Sequence, residues 1–229
     1  NAASTSYNTA VGYQAGENVT TAQYSTIVGG FAGSAITTGI SNVAIGYSAL
    51  STEDTGQKNV AVGTNALATL NYDGEGLNVA VGNDAGRYMT TGIQNVLLGA
   101  NAGDSLTSGS YNIAIGRNAL QAEDAHGRNV AIGHAALEDQ NAGTDAYNIA
   151  IGYQAGKDVT TGTANVIIGG LAGDALTTGE HNVAIGYAAL TNEDEDGRNV
   201  AVGYETLNQQ NAGTDAYNVA VGYQVGREI

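Results

Sequence analysis

The side chains best equipped for chemistry in this sequence are carboxylates, and they come in clusters. "QAEDAHG" holds Glu123 and Asp124, and "LEDQNAGTDA" follows with Glu138, Asp139 and Asp145. "TNEDEDG" repeats the pattern at Glu193 and Asp194. Oxygen donors of this kind suit a hard divalent cation such as calcium. The candidate ligands are therefore Glu123, Asp124, Asp139, Asp145, Glu193 and Asp194. The spacing matches neither an EF-hand loop nor the glycine-rich calcium-binding roll repeat. The competing reading is a solvated, self-repelling edge, partly neutralised by Lys58, Arg128 and Arg198.

Other chemistries find less support. Three histidines (His126, His134 and His181) share no common spacing, and there is no cysteine. No glycine-rich phosphate loop precedes a helix pattern. Paired carboxylates can cleave glycosides, but acids repeated from loop to loop argue against one tuned pair. The chain reads as a non-enzyme with no cofactor apart from a possible calcium ion. The formal net charge of −15 argues against nucleic acid and anionic membrane as partners. No apolar run is long enough to span a membrane.

The elements that carry these loops are announced by repetition. "NVAIGYSAL" begins at Asn42, "NVAVGTNAL" at Asn59, "NIAIGRNAL" at Asn112 and "NVAIGHAAL" at Asn129. The glycine closing each five-residue phrase falls at 12, 29, 46, 63, 82, 99, 116, 133, 152, 169, 186, 203 and 222. The steps run 17, 17, 17, 19 and then repeat, giving a super-repeat of 70 residues over 7–76, 77–146 and 147–216, with a partial copy at 217–229. Such a period signals a solenoid.

Each "NVAIG" reads as a short strand ending at a glycine. Alternation puts Val43 and Ile45 on one face and Asn42 and Ala44 on the other. The expected fold is an all-β parallel solenoid of 13 coils, forming one domain over 1–229. The coils stack at about 4.8 Å into a rod roughly 60 Å long. The Val/Ile row is expected to line the interior, leaving an Ala-rich outer face that a homotrimer would bury.

Asn opens 12 of the 13 phrases, with Ser25 in the other. The column of Asn42, Asn59, Asn78, Asn95, Asn112, Asn129, Asn148, Asn165, Asn182, Asn199 and Asn218 is expected to form a hydrogen-bonded ladder from coil to coil. Ile27, Leu97 and Ile167 replace the central Ala of the strand where the residue after the glycine shrinks to Gly30, Ala100 or Gly170. That exchange of volume suggests two positions that touch or share one neighbour.

"NVAIG" followed by a small-residue turn resembles the head repeats of trimeric autotransporter adhesins. The longer phrases "NVIIGGLAGDALTTG" and "NVAIGYAALTNEDEDGRNVAVG" resemble repeats of phage tail fibres of the marine and cyanophage type. The resemblance covers nearly the whole chain. It implies a left-handed β-roll, an intertwined or side-by-side homotrimer, and an extracellular site on a virion tail fibre or bacterial surface. It further implies a host cell-surface receptor or glycan as partner. The coils here are longer than those of adhesin heads, and Val, Ile or Thr follows the Asn instead of Ser.

Three alternatives to a stiff tail-fibre shaft follow. One is an adhesin head. Another is a filament subunit joined through its open coil ends, since "NVAVGYQVGREI" carries no polar cap. The third is an ice-binding solenoid using the Thr pairs at 20–21, 37–38, 90–91, 160–161 and 177–178, although these occupy only two of every four coils. The tyrosines following the glycines offer a sugar-stacking option. The first residue, Asn1, reads as the start of a processed protein or of an excised piece.

Overall fold

A computed structural model describes residues 6–192, 197–211 and 216–228. Thirteen three-residue strands, β1 (Thr9–Val11) through β13 (Val219–Val221), form one parallel sheet in strict chain order. The fold is a parallel β-solenoid, and no helix occurs among the described residues. Register is constant: β7 (Ile113–Ile115) pairs with β8 (Val130–Ile132) as Ile113 to Val130, Ala114 to Ala131 and Ile115 to Ile132. Coil-to-coil bonding continues through the turns. Around coil 3, the Ser48 N–H reaches the Gly30 carbonyl at 3.0 Å, and the Leu50 N–H reaches Ala66 at 3.0 Å. The turns thus satisfy their own buried backbone, as a thin solenoid requires.

The alternation within each strand is as expected, but the interior face is the reverse. Ala44, Ala61, Ala80 and Ala114 are fully buried, while Ile45, Val81, Ile113 and Ile149 are 36–39% exposed. The reason is space. The core is filled from the opposite wall by Leu50, Leu67, Leu120 and Leu137 of the "AL" turns, all fully buried. Only Ala and Asn leave room for them across so narrow a coil. The bulkier β-branched residues therefore face outward, where a pleated surface accommodates them.

The expected exchange of volume also lies elsewhere. Ile27 points into the core, whereas Gly30 lies beside the ring of Tyr47. What compensates Ile27 is the loss of the turn leucine in its own coil, at Gly33, and in the preceding coil, at Gly16. A Cβ on Gly16 would lie 3.0 Å from Ile27 Cδ1, and one on Gly33 3.3 Å from Ile27 Cγ2. Gly86 and Gly103 make the same room for Leu97.

The strand-closing glycines have φ between 132° and 146°, a conformation essentially reserved for glycine. They also stack so closely that a Cβ would strike the carbonyl of the next glycine at 2.1–2.5 Å, except in the last coil. This double requirement explains why the glycine column admits no substitute.

Candidate functional site

The asparagine column is buried from Asn42 to Asn199, and Asn218 at its end is half-buried. Each Oδ1 accepts the backbone N–H of the next asparagine: Asn59 to Asn42 at 3.0 Å, Asn112 to Asn95 at 2.9 Å and Asn182 to Asn165 at 2.8 Å. Each Nδ2 mostly donates to a carbonyl fourteen residues on, as Asn42 does to Gly56 at 2.7 Å and Asn165 to Gly179 at 2.8 Å. The ladder thus joins side chain to backbone. Contacts between amides occur at Asn78–Asn59 and Asn95–Asn78. In the 19-residue coils the carbonyl is displaced by the longer loop, and Nδ2 of Asn59, Asn129 and Asn199 has no partner. Ser25 keeps half the pattern, its Oγ accepting the Asn42 N–H at 3.2 Å.

Among the described residues, the side chain seven positions after a strand-closing glycine packs into or against the core. Ile36 and Leu70 occupy that column in the first super-repeat, Met89 and Leu106 in the second. Glu53 and Glu123 stand in the same column, both 0% exposed. The acidic loop is therefore not a uniformly solvated edge. Its first acid is a core residue, and desolvation raises its carboxyl above the ordinary range. Burial pushes Glu123 up to about 7, with backbone donors opposing. Glu53 is raised by the same cause.

The two buried glutamates differ in how they are held. The Gly56 N–H donates to Glu53 Oε1 at 2.7 Å and the Tyr72 N–H to Oε2 at 3.2 Å. A Cβ on Gly56 would sit 2.4 Å from that carboxyl. One super-repeat later, position 126 is histidine. The His126 N–H lies 3.3 Å from Glu123 Oε1, and Glu123 Oε2 has no partner. His126 Nδ1 is also buried without a hydrogen bond, 3.8 Å from Glu123 Oε1. By contrast, Gln140, in the next coil, accepts from Asn148 at 2.7 Å and donates to Thr160 at 2.9 Å.

Among the described residues, donor atoms of Glu123, Asp124 and His126 lie within 4.8 Å of one another. Of the other expected ligands, Asp145 is ion-paired with Arg128 and accepts the Gly127 N–H at 3.1 Å. Asp139 lies 4.0 Å from Lys157. Glu193 and Asp194 fall outside the described residues. His126 had no signal in its own spacing. Its signal is that it stands 70 residues after Gly56, where a side chain must crowd a buried carboxylate.

The threonines and tyrosines are largely committed to the rod itself. Thr20, Thr90 and Thr160 donate their hydroxyls to carbonyls of the next coil at 3.0–3.1 Å. Tyr187, Tyr204 and Tyr223 stack on one another with ring centroids 5.3–5.5 Å apart, so that ring covers ring. Their faces support the stack more than they offer a sugar platform.

Raised carboxyls set the pH dependence of stability. Glu53, Asp104, Asp174 and Glu123 are all raised, chiefly by desolvation. Such groups favour the fold below their unfolded pKa, 4.5 for Glu and 3.8 for Asp. That contribution is lost as pH rises through the folded value. Glu205 is lowered by its bond from Gln224 and runs the other way. The melting temperature should therefore fall as pH rises from 4.5 to about 7, the interval between the unfolded and folded values of Glu123. Glu53→Gln should flatten that slope in thermal scans across the range, and an unchanged slope would contradict the assignment. No family model, curated protein or solved structure matches this chain.

Proposed function

We propose that this chain is a non-enzymatic, stiff shaft of an extracellular fibre, built as a homotrimer of left-handed coils. The phage tail fibre is the favoured setting, with a host cell-surface receptor or glycan as the partner it spaces or presents. The observation carrying this reading is the outward Val/Ile row. It runs over thirteen coils, interrupted only by Thr9, Thr26 and Leu98, with Ile45, Val81, Ile113, Ile149 and Ile151 each 36–39% exposed. A face about 60 Å long and 10 Å wide offers roughly 600 Å² per chain from strand dimensions. That reaches the upper limit for the largest apolar patch of a typical monomer and approaches a standard interface contribution. Three narrow faces turned to a common axis would cover one another along the whole rod.

Light scattering tests it. The reading expects a mass near three times 23.0 kDa. Ile149→Asp with Ile151→Asp, both outward, should reduce the mass to that of one chain while the β-sheet spectrum is kept. A monomeric wild type would overturn the trimer, and a mass that grows with concentration would move the assignment to the self-assembling filament.

A further inference from the structure

We propose that Glu123, Asp124 and His126 form a binding site for a divalent transition ion of the zinc class. Three observations carry it. The three side chains bring one nitrogen and two carboxylate groups within 4.8 Å of one another. Two of their atoms, Glu123 Oε2 and His126 Nδ1, are buried and have no hydrogen-bond partner, and Glu123 is 0% exposed. The same loop one super-repeat earlier satisfies both oxygens of Glu53 with backbone N–H groups and carries glycine in place of histidine. The copy that gained an imidazole is the copy that lost a carboxylate partner.

The donor set selects the ion. Calcium takes six to eight oxygens, and this cluster offers an imidazole and two carboxylates. Imidazole suits zinc, copper, iron or nickel, and zinc also accepts carboxylate oxygen beside it. Zinc holds such donors at about 2.0–2.2 Å, so the loop needs only a small inward movement to close on it. Two carboxylates offset the ionic charge, and the ion would give both orphaned atoms a partner. His126, with a side chain 29% exposed, leaves a route from solvent. Its proton then belongs on Nε2, with Nδ1 free to coordinate. Asp124 reaches the cluster while its backbone carbonyl accepts from the Thr107 hydroxyl at 2.9 Å, which anchors the loop to the preceding coil.

The test is calorimetric titration of the full chain with zinc chloride at neutral pH, paired with melting curves. One zinc per chain and a zinc-dependent rise in melting temperature are expected. His126→Gly restores the residue of the earlier copy, so it should fold. It should weaken zinc binding by roughly tenfold or more, as loss of one of three protein ligands implies. A double variant at the other histidines, His134→Ala with His181→Ala, should bind as the wild type does. Cobalt in place of zinc should give a visible absorption band that His126→Gly removes. Absence of zinc binding would overturn the proposal, as would binding unaffected by His126→Gly or a calcium affinity exceeding that for zinc. These readouts do not depend on whether the chain is a trimer.

Discussion

Gly116→Ala is expected to lower stability by about 3–5 kcal/mol, from a forbidden backbone conformation and a steric collision together. For a chain of this size that corresponds to a fall of about 10 °C in melting temperature. Gly116 sits at φ 133°, and an added Cβ would lie 2.3 Å from the carbonyl oxygen of Gly133. The oxygen belongs to the rigid backbone of the next coil, so relief requires separating two coils. Gly143 provides the control. It too has a positive φ, 69°, but an added Cβ meets nothing within 4 Å. Gly143→Ala should cost only about 1 kcal/mol, the conformational part alone. Equal losses in thermal melts of the two variants would show that coil-to-coil approach is not what fixes the glycine column.

Asn95→Ala is the second large effect, at about 3–4 kcal/mol. It strips the Asn112 N–H of its acceptor at 2.9 Å and the Gly109 carbonyl of its donor at 2.9 Å. Both groups lie in the interior, where each orphan costs about 1–3 kcal/mol. Asn95→Ser should recover part of the loss, because Ser25 shows that a hydroxyl can accept the next coil's N–H. Chemical denaturation of the three proteins gives the comparison. If serine is no better than alanine, the acceptor half of the ladder contributes little.

The solenoid was legible in the sequence because its period is covalent: steps of 17 and 19 residues can be read without a structure. Strand position and side-chain alternation followed from "NVAIG". Which face is buried did not follow. Alternation is symmetric between the two faces, and hydrophobicity favoured Val and Ile for the core. The deciding residues were Leu50 and Leu67, which lie in turns and enter the interior from the far wall. Nothing local in "SAL" says that a leucine at φ 51° points inward. The acidic cluster was legible as Glu123 and Asp124, but the partners assigned to them were not. Asp145 was taken by Arg128, and His126 entered in its place. Loop residues adjacent in the fold are set by stacking, and only comparison across 70 residues exposes the exchange of Gly56 for His126.

The direction of the coil-to-coil bonds has a mechanical consequence. They run along the rod, so a pull on its two ends loads every coil junction in series. The weakest junction then yields first, and coils peel away one at a time. Each coil occupies about 4.8 Å of the axis, yet its 17 residues extend to nearly 60 Å once released. A rod stiff to bending is thereby a tether that lengthens about twelvefold, coil by coil, before its covalent chain is taut.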